Sequence, residues 1–180
     1  MNFLIWNSRG TGSRNFSNLV REISSFYAVD FFVILETRCS GNKAVDICSK
    51  LNFDNFEIVD AMGFKGGIWC CWSNKFRGIE VIAKNSQFIH LRIQKNTGEF
   101  WWLTIVYGSP IALNRRSLWH DLEQVASYSL GPWCLAGDFN STLLASERSS
   151  LKNNNSADRD FCSLVLIYSL VSFARENCPR

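Results

Sequence analysis

Apolar residues run along this chain in short blocks, and each block closes on a polar or glycine-bearing turn. Short apolar, β-branched or aromatic runs bounded in this way are the pattern of strands. They predict strands over Phe3–Asn7, Phe31–Glu36, Phe56–Asp60, Gly67–Trp72, Ile79–Lys84, Phe88–Gln94, Phe100–Tyr107 and Trp133–Gly137. A three-and-four spacing marks one buried helix face. It occurs over Asn15–Phe26, where Phe16, Leu19, Val20, Ile23 and Phe26 share a side. It recurs weakly over Ala44–Leu51, and again over Arg116–Tyr128 through Leu118, Trp119, Leu122, Val125 and Ala126.

From Phe56 to Tyr107 strand follows strand, with a hairpin turn expected at Asn96-Thr97-Gly98, where Gly supplies a positive φ. Helix-linked strands flank this block on both sides. Hairpins inside a βα frame predict an α/β (α+β) sandwich, two mixed β-sheets packed face to face with helices outside. With no internal repeat and no linker, residues 1–180 are expected to form a single domain. The polar stretch Ser149–Asp158 is expected to be an exposed loop, and Phe161–Phe173 is apolar almost throughout and needs cover.

Composition agrees with a packed core: 47% of the residues are hydrophobic and 19% charged, with fourteen Phe and seven Trp favouring sheet. The net charge of +3 permits nucleic-acid binding without demanding it, because the basic residues are scattered, from Arg9 and Arg14 to Lys43, Lys65 and Arg115. Seven cysteines without a CxxC pair point to free, buried thiols with no disulfide partner, Cys70 and Cys71 facing opposite sides of one strand. A cysteine-dependent redox or metal protein is suggested by that count alone. Only two histidines occur, neither near a cysteine pair, which argues against structural zinc. The apolar run Phe3–Trp6 is too short for a signal peptide, and no stretch reaches a membrane span, so an intracellular protein, nuclear or cytoplasmic, is expected.

The candidate chemistry lies where strands end. Four apolar runs each meet a polar residue: Asn7, Glu36, Tyr107, and Asp138 followed by Phe139 and Asn140. A carboxylate at the end of a buried strand is costly unless it meets a cation or several donors. Two carboxylates with amides and a phenol form an oxygen-rich set suited to Mg²⁺ and so to a phosphate-ester site. For either carboxylate alone, a helix N-cap or a surface salt bridge is an equally good account.

The segments Trp6-Asn7-Ser8-Arg9-Gly10, Leu35-Glu36-Thr37-Arg38, Gly66-Gly67-Ile68, Val106-Tyr107-Gly108-Ser109-Pro110 and Gly137-Asp138-Phe139-Asn140 occur in that order. In order and spacing they resemble the motifs of the endonuclease/exonuclease/phosphatase superfamily, most closely the endonuclease domain of plant LINE-type retrotransposons. The resemblance implies a deoxyribonuclease-like fold and metal-assisted hydrolysis of a DNA phosphodiester. By that resemblance Glu36 is the Mg²⁺ (or Mn²⁺) ligand and Asn7 its companion. Tyr107 holds the scissile phosphate, Asp138 orients or activates the attacking water, and Asn140 steadies the phosphate. The superfamily's closing strands carry an adjacent Asp-His pair, which this chain lacks: His90 lies within a mid-chain run and His120 within the third helical pattern. The expectation is therefore a domain incomplete at its C-terminus, missing the last strands. It would be an impaired endonuclease or a catalytically dead retroelement remnant that binds at most metal or nucleic acid.

Overall fold

The computed structural model describes residues 2–76, 78–94, 97–141, 161–163 and 165. In chain order the elements are β1 (Phe3–Asn7), α1 (Phe16–Phe26), β2 (Phe31–Leu35), α2 (Gly41–Cys48), β3 (Asn55–Val59), β4 (Ile68–Trp72), β5 (Ile79–Asn85), β6 (Phe88–Gln94), β7 (Phe100–Tyr107), α3 (Ala112–Tyr128) and β8 (Trp133–Asp138). The strands form two four-stranded sheets, ordered β1-β2-β4-β3 and β5-β6-β7-β8. Each sheet is mixed. β1 runs parallel to β2 and β7 parallel to β8, while the remaining pairs are antiparallel. The α/β sandwich expected from the pattern is the fold observed.

Three apolar layers hold it together. Between the sheets lie Phe31, Val33, Leu35, Ile68, Cys70, Ile89, Leu91, Leu103, Ile105 and Tyr107. Alternate residues of the same strands, Phe32, Ile34, Trp69 and Cys71, face outward and are covered by Phe16 and Val20 of α1 and Ala44 and Cys48 of α2. This explains the unbroken apolar runs of β2 and β4, which are buried on both faces. Cys70 and Cys71 point to opposite faces, as strand geometry requires. On the second sheet, α3 covers Phe88 and Val106 through Leu118, Trp119, Leu122 and Val125. Phe161, at the start of the long apolar segment, stacks on Trp119 and Phe139.

Several predicted boundaries move, each for a physical reason. Glu36 is not part of β2: its φ is +55°, a left-handed conformation that ends the strand. Gly67, with φ +91°, likewise precedes β4. α2 starts at Gly41 rather than Ala44, because Asp60 reaches from the end of β3 and its Oδ1 accepts the Gly41 N–H at 2.9 Å. That cap comes from nineteen residues away, and local spacing cannot reveal it. α3 starts at Ala112, four residues before the prediction. Its first turn exposes Leu113 and buries Arg115, so the apolar period begins only at Leu118. The stretch Ser149–Asp158, Asn96 of the predicted turn and most of Phe161–Phe173 lie outside the described residues. Among the described residues, no helix is long and apolar enough to cross a membrane, and the cysteines at 39, 48, 70, 71, 134 and 162 are free thiols.

Candidate active site

Strand direction collects the polar strand ends. Because β1 and β2 are parallel, Asn7 is level with Leu35, and Glu36 follows directly. Because β7 and β8 are parallel, Tyr107 is level with Asp138. The two parallel pairs finish at the same end of the sandwich. There the Asn7 amide Nδ2 donates to Asp138 Oδ2 at 2.9 Å, bridging 131 residues of sequence and joining one sheet to the other.

Each side chain is held in position. Both oxygens of Asp138 accept hydrogen bonds, one from Asn7 and the other from the Asn140 backbone N–H at 3.0 Å. Asn140 has φ +48° and donates its Nδ2 to the Gly108 carbonyl at 2.8 Å, tying the end of β8 to the end of β7. Glu36 pairs with Arg38, two residues on. The Tyr107 phenol hydrogen-bonds to Glu36 and is pushed up to about 12, first by burial and then by the negative charges of Glu36 and Asp138. One buried phenol thus senses both carboxylates. Asn7, Glu36, Tyr107 and Asp138 come together in a single cluster, with Asn140 bracing its edge.

Sequence reasoning missed the supports. Thr37 is fully buried, and its carbonyl accepts the Thr11 N–H at 3.0 Å and the Thr11 hydroxyl at 3.2 Å. Arg38 N–H donates to the Gly66 carbonyl at 3.0 Å, so the two glycines fix the turn that aims Glu36. A Cβ on Gly67 would lie 2.1 Å from Thr37 Oγ1, which excludes any side chain there. Gln87 braces the other sheet: its Oε1 accepts the Ser109 N–H at 2.7 Å, and its Nε2 donates to the Asn114 carbonyl at 2.9 Å. Arg115 Nη1 donates to the Ser109 carbonyl at 2.7 Å. Nothing in the linear pattern distinguishes Gln87 or Arg115, since their roles arise from contacts with the turn after β7.

The two histidines lie elsewhere. His90 is fully buried between Thr104 Oγ1 (2.8 Å) and Ser129 Oγ (3.1 Å), and stacks on Trp102. Burial holds its imidazole down at about 4. His120 is exposed on α3 beside Gln124. The core thiols are inert: Cys71 is raised by its contact with Cys48 and by burial, and Cys70 by burial above all, so neither supplies a thiolate.

The donor set suits a hard divalent cation. Two carboxylates converge beside Arg38, and the remaining groups are amide and phenol oxygens. Among the described residues no three His, Cys, Asp or Glu side chains gather.

With two mixed sheets and this strand-end cluster in place, the chain belongs to the Endonuclease/Exonuclease/phosphatase family, whose model matches residues 4–178. No curated protein matches it. Among solved structures it resembles the AP endonuclease LMAP from Leishmania major at 14% identity and a TM-score of 0.68, covering 91% of this chain and 65% of that one. It also resembles the endonuclease domain of TRAS1, a telomere-specific non-LTR retrotransposon, at 12% identity and a TM-score of 0.58, covering 92% and 69%. The 3′-5′ exonuclease NExo from Neisseria meningitidis is similar at 13% identity and a TM-score of 0.62, covering 93% and 71%. At such identities the likeness is one of fold, and this chain spans less than two thirds of the Leishmania enzyme.

Proposed function

We propose that the chain is a Mg²⁺-dependent DNA phosphodiesterase fold of LINE-type retrotransposon origin, a single domain whose hydrolytic step is impaired in the chain as it stands. The observation that carries this reading is the Asn7–Asp138 hydrogen bond, which unites the polar ends of both sheets around Tyr107 and Glu36. Glu36 would hold the metal with Asn7 beside it, and the ion would supply Lewis-acid polarisation of a phosphate oxygen. Tyr107 stays protonated across the working range, and its one proton turns from Glu36 to the phosphate when DNA is bound. Asp138, with both oxygens already oriented, accepts from the attacking water, and Asn140 steadies the phosphate with the part of its amide not used on Gly108.

DNA as the partner is supported by a cleft of about 440 Å³ between α1 and α2, lined by Arg14, Arg21, Lys43 and Lys50 with no carboxylate among the described residues of its walls. Basic residues scattered in sequence are gathered there, where they would neutralise a phosphate backbone. The five motifs and the likeness to the TRAS1 endonuclease domain support the retrotransposon origin. The impaired reading is supported by the placement of the two histidines of this sequence, His90 among Thr104 and Ser129 and His120 beside Gln124, away from the cluster. Loss of a general acid/base costs on the order of 10²–10⁴ in rate. The same fact favours a second reading, a catalytically dead remnant that only binds.

Plasmid nicking by the soluble protein, with Mg²⁺ and with chelator, tests this beside Glu36→Ala. The expected outcome is slow, chelator-sensitive nicking that Glu36→Ala abolishes. Nicking indifferent to both would overturn the site, and none from folded, DNA-binding protein would leave the second reading.

A further inference from the structure

Arg38 makes a contact that the proposed chemistry does not use. Its Nε donates to Glu36 Oε1 at 3.2 Å, and its Nη2 donates to the same oxygen. The pair is partly open to water, with the Arg38 side chain 43% exposed and that of Glu36 17%. The charge of Arg38 reaches Tyr107 as well: burial and the two carboxylates push that phenol up, and Arg38 draws it down.

The backbone sets this pairing. Glu36 and Arg38 both take left-handed conformations, φ +55° and +52°, which residues with a Cβ rarely adopt. Between them Thr37 is fully buried, its N–H on the Gly67 carbonyl at 3.4 Å and its own carbonyl held by Thr11. With Thr37 anchored inward, its two neighbours meet on the open side. The Arg38 stem lies along Gly10, where a Cβ would stand 3.6 Å from Arg38 Cδ. Backbone strain of this kind persists only where the surroundings hold it, and it gathers at functional sites.

We propose that Arg38 guards Glu36 against the metal until a phosphate draws the guanidinium away, so that cation and DNA are taken up together. The proposal rests on the phosphodiesterase reading and adds to it a coupling between its two ligands. The Arg38 fork covers an oxygen that Glu36 must offer to a cation, so metal binding has to displace it. A guanidinium pairs with phosphate as well as with carboxylate. A phosphate at the cluster therefore satisfies the donors that leave Glu36. Exposed ion pairs are weak, which limits the coupling to about fivefold. Linkage makes it reciprocal: DNA tightens the metal by the factor by which the metal tightens DNA.

The test follows Mn²⁺ binding by electron paramagnetic resonance, with and without a phosphorothioate-protected duplex, in the wild type and in Arg38→Gln, Arg9→Gln and Glu36→Gln. Circular dichroism confirms that each is folded. Arg9→Gln removes an exposed charge two residues beyond Asn7 and so controls for charge alone. Without DNA, Arg38→Gln is expected to bind Mn²⁺ about fivefold tighter than the wild type, and Arg9→Gln to match the wild type. The duplex should then tighten the metal more in the wild type than in Arg38→Gln, by that same factor. Equal affinities in the wild type and Arg38→Gln, or an equal gain from Arg9→Gln, overturn the guard. A duplex effect undiminished in Arg38→Gln overturns the handover to phosphate. Mn²⁺ binding that survives Glu36→Gln, or none by the wild type, overturns the metal site itself, and the role of Arg38 with it.

Discussion

Gly108 sits where β7 and β8 come too close for a side chain: a Cβ there would lie 2.3 Å from the Phe139 carbonyl oxygen. Its φ lies outside the left-handed region, so the constraint is contact rather than conformation. Gly108→Ala is expected to cost about 2 kcal/mol or more, and to part the Asn140 amide from the Gly108 carbonyl; chemical denaturation and the Asn140 side-chain amide resonance in NMR check it. The Glu36→Ala nicking experiment belongs to this scale as well. The residues themselves were legible where strand patterns break, since Asn7, Glu36, Tyr107 and Asp138 each follow an apolar run. The packing that makes Gly67 and Gly108 obligatory was not, because it depends on Thr37 and Phe139, remote in sequence.

At the scale of elements, β6 is tied to β7, β8 and the end of α3 through His90. Ser129 Oγ donates to the Val125 carbonyl, so His90 Nε2–H must donate to Ser129. Trp133 Nε1–H donates to Thr104 Oγ1, whose own proton then goes to His90 Nδ1. The network is complete with a neutral imidazole, and a second proton on Nδ1 would displace the Thr104 hydroxyl proton from its bond. Burial holds His90 at about 4 against an ordinary 6.5, so its contribution is fully present above pH 6.5 and is lost as pH falls toward 4. The difference corresponds to about 3 kcal/mol. Thermal melts between pH 6.5 and 4.5 should fall more steeply for the native chain than for His90→Asn. A second element-scale prediction concerns the remote cap of α2: Asp60→Ala should lower stability by about 1 kcal/mol, read by denaturant titration. Both devices escaped the sequence pattern, which follows side-chain periodicity and cannot register a cap lent by another strand. The same blindness hid the first turn of α3, where Arg115 takes the inward position.

Over residues 3–138, the alternation of apolar runs and turns was enough to predict the eight strands, the three helices and their sandwich, because buried strands here are apolar on one or both faces. Charge was harder to read, since Arg14, Arg21, Lys43 and Lys50 gather only when α1 and α2 lie side by side. Replacing all four by Ala should weaken duplex binding and make its dependence on log salt shallower by up to about 3 to 4, with circular dichroism unchanged. A slope equal to the wild-type value would show that phosphate contacts lie elsewhere.

The link from Asn7 to Asp138 also sets an order of events at the ribosome. Translation delivers Asn7 and Glu36 early, yet the cluster cannot close until β8 has emerged. At about 5–20 residues per second, that interval lasts many seconds, long enough for the first sheet and its helices to form. A chain interrupted anywhere in that interval carries Asn7 and Glu36 without Asp138, so unfinished products lack the bond that joins the two sheets.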